Sequence, residues 1–298
     1  MCVIHNPVAG AAKRRKLGRV LHALRRGGAV VAVRDTRFRG DAETLTQEAA
    51  RAGFDMVIAA GGDGTVNEVL NGLLALPEGA RRVALGFIPL GTANVLAHET
   101  GMGTGLGAIV RTLLAGRRLA VTPSHLSWEN GSRWFLLMAG AGLDGAIVEA
   151  IDTHHTRRKR RFGKLAYVVE ALAQAAQYSF PRLSVAVHGG ARTEGVMAVA
   201  LGGQCYGGPF VAVPDGALSS PEGRMVVLKR PGWRGLLRYA VALGLGKLST
   251  LHDVAVPRGQ AFVIDGPDWV PVEADGDFLC RLPVRIERPG RTVDLIVP

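Results

Sequence analysis

Residues 56–72 read MVIAAGGDGTVNEVLNG, and this stretch decides the fold. The apolar run Met56–Ala60 enters a turn of Gly61-Gly62-Asp63-Gly64, after which Val66, Val69, Leu70, Leu73 and Leu74 recur at helical spacing. The pattern predicts strand, glycine turn, helix. Thr65 and Glu68 have the spacing of a capping box, in which the Thr hydroxyl accepts a first-turn N–H and Glu68 reaches back. Glycines ahead of a helix N-terminus let the backbone approach an anion closely, and the open N–H groups with the helix dipole favour a phosphate there. Asp63 in such a turn would repel a bare phosphate, so a divalent cation between them, direct or through water, accounts for both. Taken alone, the stretch is better explained as a tight βα turn with Asp63 as turn former and Glu68 as cap. The rest of the chain favours the phosphate site.

Upstream, Val3–Ile4 is a short strand stopped by Asn6-Pro7, and Val8-Ala9-Gly10-Ala11-Ala12 leads into a basic helix from Lys13 to Arg26. That helix keeps Leu17, Val20, Leu21 and Leu24 on one face. A strand over Ala29–Val33, then Thr36, and a helix over Asp41–Ala52 bring the chain to Met56. Downstream, a strand over Val83–Ile88 ends in Pro89-Leu90-Gly91-Thr92-Ala93-Asn94, and a helix spans Leu106–Ala115. This βαβαβ order predicts a doubly wound parallel sheet whose ligands collect at the C-terminal strand ends. There is no G-x-x-x-x-G-K-[ST], which excludes a P-loop.

The 298 residues are about two domains' worth, and the 48% hydrophobic share is that of a globular protein. A net charge of +11 suits an anionic partner, while an aromatic share of 6% argues against a protein that reads bases by stacking. Cys2, Cys205 and Cys280 lie far apart without metal-ligand spacing and fit a reducing compartment. With no signal-peptide pattern at the N-terminus and no apolar run long enough to span a bilayer, the expectation is a cytoplasmic protein, peripheral at the inner face of the cell membrane at most.

Beyond Ala120–Pro123 the segments become strand-length, with a hairpin around Asn130-Gly131. Gly140-Ala141-Gly142-Leu143-Asp144-Gly145 satisfies G-x-G-x-x-G but lacks the following βαβ context of a dinucleotide site. The basic run Arg157–Arg161 with Lys164 reads as a solvated loop or as a contact with anionic membrane. Trp233–Leu248 reads as a helix for core packing, with a lipid-facing groove as the alternative. Val272-Glu273-Ala274-Asp275-Gly276-Asp277 sets two carboxylates two residues apart, on one face if the chain is extended, so that one could reach a metal and the other a hydroxyl. A D-G-D hairpin turn with solvated acids is the plainer reading.

Asn6-Pro7 with Gly10, the GGDGT turn with Asn67-Glu68, and Pro89-Leu90-Gly91-Thr92-Ala93-Asn94 follow in the order and spacing of the diacylglycerol kinase catalytic domain, and the chain resembles bacterial lipid kinases of that family along its length. The resemblance implies an N-terminal doubly wound α/β domain over 1–122, a C-terminal β-rich sandwich over 123–285, and a last strand within 286–298 returning to the first domain. It implies an ATP-dependent lipid kinase that uses Mg²⁺. Contacts to ATP would come from Asn6, Pro7, Val8, Ala9 and Gly10, from Thr36, from Gly62, Asp63, Gly64, Thr65, Val66, Asn67 and Glu68, and from Thr92. Asp277 matches the family's Glu of D-G-E as proton acceptor, and Asp63, with Asp275 or Asp144, would hold Mg²⁺. Where the family has an acidic segment for a structural Mg²⁺, this chain has Ser219, Glu222 and Arg224 at the equivalent positions. Expected partners are a lipid substrate at a membrane surface and anionic headgroups, with a homodimer as an open alternative and no nucleic acid. A kinase of a soluble substrate such as NAD, which shares GGDGT, and a non-catalytic basic membrane-surface module are the competing readings.

Overall fold

The computed structural model describes residues 1–7, 11–154, 177–188 and 190–298. The chain divides into two compact units, Met1–Thr122 with Arg291–Pro298, and Pro123–Gly290.

In the first unit β1 (Cys2–His5), α1 (Ala11–Arg26), β2 (Ala32–Asp35), α2 (Asp41–Arg51), β3 (Met56–Gly61), α3 (Asp63–Leu74) and β4 (Ala84–Pro89) alternate. The short α4 (Val95–Glu99), α5 (Leu106–Ala115) and β5 (Arg118–Val121) follow. The sheet order is β2-β1-β3-β4, then the last strand Val293–Ile296, then β5. The first four strands are parallel, and the last strand lies parallel to β4 and antiparallel to β5. β1, β3 and β4 are buried along their whole length, as strands covered on both faces must be. Val3, Leu17, Val20, Leu24, Ile58, Ile88, Ile109, Leu113 and Ile296 share one core. α2 packs closely on α3, because a Cβ at Gly72 would come within 2.7 Å of Glu43 O and of Thr46 Cβ.

The predicted capping box does not form. α3 begins at Asp63, with Gly62 as an N-cap that offers backbone only, and Thr65 lies inside the helix. Glu68 instead reaches α2, where its Oε2 accepts the Ala42 N–H at 3.2 Å.

The second unit is a β-sandwich. One sheet of six strands runs from Arg192–Gly195 through Leu183–Val187, Ala261–Asp265, Val284–Glu287 and Ser124–Trp128 to Gly131–Phe135. The other, of seven strands, has Gly223–Leu228, Met197–Leu201, Met138–Ala141, Pro271–Ala274 and Asp277–Arg281 side by side. Alternate residues of both sheets, among them Leu126, Val185, Phe262 and Ile286 facing Ala139, Val227 and Val272, form the core between them. Residues 286–290 stay with this unit rather than returning to the first, because Ile286 and Glu287 complete the strand paired with Leu126 and His125. Among the described residues, α6 (Leu143–His154) and α7 (Gly232–Gly244) are the α-helices of the sandwich unit. The three cysteines are buried thiols. Among the described residues no helix is long and apolar enough to cross a membrane.

Candidate functional site

The order β2-β1-β3-β4 sets four strand ends in a row, so Thr36, Asn6-Pro7, Gly62–Gly64 and Gly91-Thr92 occupy consecutive loops along one edge of the first unit's sheet. Val8, Ala9 and Gly10 lie outside the described residues, as do Arg157–Arg161 and Lys164. Two glycine turns meet backbone to backbone: a Cβ at Gly91 would come within 2.6 Å of Gly62 Cα, and one at Gly61 would collide with the Thr65 side chain. Leu90 N–H donates to Gly61 O at 2.8 Å and ties the turns together. Asn94, at φ 48°, braces the second turn by accepting Gly91 N–H at 2.8 Å and donating to Gly91 O at 3.1 Å.

Asp63 crosses from the first turn to the second. Its Oδ2 accepts the Val95 N–H at 3.1 Å and its Oδ1 the Leu96 N–H at 3.2 Å, so it caps α4 from outside that helix. Burial pushes its pKa up against the pull of these two N–H groups. The Asp63 N–H bonds to the carboxylate as well, and three donors on four acceptor sites leave room for a divalent ion. Lys16 of α1 reaches the same rim and donates to Pro89 O at 3.1 Å, and burial pulls its pKa down. Sequence reading placed Lys16 only among the charges of a basic helix, because nothing local says that α1 runs past the end of β4.

In the second unit Asp275 and Gly276 form a two-residue hairpin loop with φ 48° and 86°, the backbone of a type I′ turn. Asp275 and Asp277 therefore do not share the face of an extended strand. The Asp275 carboxylate is buried and accepts three backbone N–H groups, from Leu136 at 2.9 Å, Leu137 at 2.9 Å and Met138 at 3.0 Å. It is a structural anchor, neither the solvated turn acid nor the Mg²⁺ ligand expected. Asp277 opens the next strand, opposite Ala274, and is half-buried.

Asp144, in the first turn of α6, is buried and folds back over Gly140, where a Cβ would collide with it. Its Oδ1 accepts the Tyr206 hydroxyl at 2.9 Å. Glu273 is the cross-strand neighbour of Gly140 and is also buried; its Oε2 accepts the Gly276 N–H at 2.9 Å. Asp144 Oδ2 and Glu273 Oε1 have no donor among the described residues, and two acceptors side by side are satisfied only if one carries a proton. Burial, then the Asp144 charge, holds the Glu273 carboxyl well above the usual carboxylate range. Glu273 thus carries the proton of a buried acid pair, and Asp144 is not an open cleft ligand. Sequence reading missed Glu273; the signal was an acid in a strand otherwise apolar, on the face opposite the sandwich core, where α6 covers it.

Sequence comparison gives this geometry a family. The profile described as YegS C-terminal NAD kinase beta sandwich-like domain matches residues 138–297, and that described as Diacylglycerol kinase catalytic domain matches residues 1–124. The chain belongs to the family in which a diacylglycerol kinase catalytic domain is followed by a YegS C-terminal domain. A diacylglycerol kinase of Bacillus subtilis (strain 168) is 25% identical over 99% of this chain and 95% of that protein. A probable YegS-like lipid kinase of Cronobacter sakazakii is 35% identical over 50% of this chain and 48% of that protein. A putative diacylglycerol kinase from Bacillus anthracis has the same fold, with a TM-score of 0.79 at 22% identity, covering 100% of this chain and 94% of that one.

Against the diacylglycerol kinase pattern, the positions equivalent to the structural metal site do not fit a cation. Arg224 is buried, 3.4 Å from Asp215 and 3.9 Å from Glu222, and Arg258 also pairs with Asp215 at 2.5 Å. Ser219 is exposed. A second buried arginine, Arg288, donates to Ser220 O at 2.9 Å, Glu222 O at 2.9 Å, Gly202 O at 3.2 Å and Ser124 Oγ at 3.2 Å. Guanidinium groups take the carbonyl and carboxylate oxygens that a metal would need, and the expected metal role of Ser219, Glu222 and Arg224 is withdrawn. Burial and the Arg224 charge lower the Arg288 pKa to about 10, which leaves it cationic at neutral pH.

Proposed function

We propose that this protein transfers the γ-phosphoryl group of ATP to the hydroxyl of a lipid such as diacylglycerol, ceramide or a sphingoid base. The observation that carries the reading is the row of loops at the C-terminal strand ends, with α3 starting on a bare glycine cap beside them. Backbone N–H groups there suit the phosphates, and Lys16 adds a cation at the rim. Mg²⁺ bound beside Asp63 would offset charge on the transferred group. In the second unit Asp277 would accept the hydroxyl proton, one methylene shorter than the family's glutamate, and the Asp144–Glu273 pair with Asp275 fixes the strands that present it. Family membership and the names of the relatives support the lipid acceptor over a soluble one.

The test is a single screen of labelled ATP with detergent-dispersed diacylglycerol, ceramide, sphingosine, polyprenol and NAD. Transfer to a lipid is expected, and Asp277→Asn should lower kcat about 100-fold or more with little change in ATP binding. Transfer to NAD alone, or to no acceptor, overturns the reading.

A further inference from the structure

α7 presents an apolar stripe to solvent. Trp233, Leu237, Val241 and Leu245 recur every fourth residue and are 63%, 57%, 55% and 67% exposed. Together they extend about 18 Å along the helix. They line an open groove of about 580 Å³. The opposite face is firmly seated: Gly235, Tyr239 and Ala242 are buried, and the Tyr239 hydroxyl accepts the Arg230 N–H at 2.8 Å and donates to Asp253 O at 3.2 Å. A Cβ at Gly235 would come within 2.6 Å of Arg230 O. The stripe is therefore a fixed surface.

Charge says what covers it. Between Lys229 and His252 the chain has Lys229, Arg230, Arg234, Arg238 and Lys247 and no acidic residue. The nearest acid in sequence, Asp253, is buried and engaged by Arg230 at 3.2 Å and Arg238 at 3.4 Å. Lys229, Arg234 and Lys247 are exposed without an ion pair among the described residues, and the Arg234 guanidinium lies 5.4 Å from the Trp233 ring centroid. A second copy of the same face would bring cations against cations with no acid to answer them. An apolar stripe headed by a tryptophan and rimmed by Lys and Arg suits a bilayer whose headgroups are negative.

We propose that the exposed face of α7 docks on anionic membrane, with the stripe in the acyl boundary and Arg234 and Lys247 at the headgroups. The choice of a bilayer rests in part on the lipid-kinase reading, so binding is measured without ATP. Full-length protein is sedimented with vesicles of phosphatidylglycerol and phosphatidylcholine, and with phosphatidylcholine alone. Binding to the anionic vesicles is expected, weakening with salt and falling at least about tenfold in Leu237→Glu/Val241→Glu. Arg234→Ser/Lys247→Ser should lower binding by roughly fivefold per charge and flatten its salt dependence. Circular dichroism checks folding, and Leu237→Ser/Leu245→Ser replaces the glutamate variant if that one unfolds. Wild-type binding that none of these variants changes overturns the proposal. So does a wild-type dimer that the stripe variant converts to a monomer without loss of vesicle binding. Turnover of a short-chain lipid in detergent reports separately on the kinase reading: its absence alongside stripe-dependent vesicle binding sinks that reading and leaves the docking face.

Discussion

The Glu273 carboxyl shows how a single residue sets a pH dependence. The native state holds a proton that an ordinary glutamate, with a value of 4.5, releases in the unfolded chain. Because the native form binds more protons, stability is fullest below that pH and falls as pH rises toward the raised native pKa, by up to about 1.4 kcal/mol per pH unit. Glu273→Gln carries its donor permanently and can still accept from the Gly276 N–H. As pH rises above about 5, its melting temperature should fall less than that of the wild type, a difference of about 2–4 °C for each kcal/mol in a domain of this size. A wild-type melting curve indifferent to pH over that range would show that the pair holds no proton. The sequence did not show this pairing, since Asp144 and Glu273 are 129 positions apart and meet only because α6 folds Asp144 back over Gly140, whose strand neighbours that of Glu273. Asp63 was legible as a site residue from its turn, yet its partners Val95 and Leu96 come from a different turn.

Elements were legible where their signals are local. Period, glycine turns and strand length gave the βαβαβ order, because a covered parallel strand must be apolar and its connection must start a helix. What escaped were fastenings between elements, such as Glu68 bonding to α2 instead of capping α3. The Asp275-Gly276 hairpin is the sharpest case. D-G identifies a tight turn, but the same aspartate also bonds to Leu136, Leu137 and Met138, nearly 140 residues earlier. That role predicts a stability defect. Asp275→Asn turns one acceptor oxygen into a donor facing backbone N–H groups, leaving at least one of them unsatisfied at about 1–3 kcal/mol. Denaturant unfolding should show that loss. Unchanged stability with an altered Mg²⁺ dependence of turnover would return Asp275 to the metal.

For the whole molecule, the two expected uses of a divalent cation separate. Asp63 has an acceptor site to offer on the first unit's loop edge, whereas in the second unit the structural position is taken by Arg224 and Arg288. A cation there would sit beside two buried guanidinium groups and compete for oxygens they already hold, an arrangement that low dielectric makes costly. Chelation should therefore remove turnover and leave the fold intact: excess EDTA should abolish phosphoryl transfer while the melting temperature stays where it is. Arg288→Met should do the reverse, lowering the melting temperature because the carbonyls of Gly202, Ser220 and Glu222 lose their charged donor, at about 1.5–3 kcal/mol for each bond to it. Added Mg²⁺ should not restore that loss. A melting temperature that falls with EDTA in the wild type would mean that a cation supports the sandwich after all, and that the arginines only neighbour it.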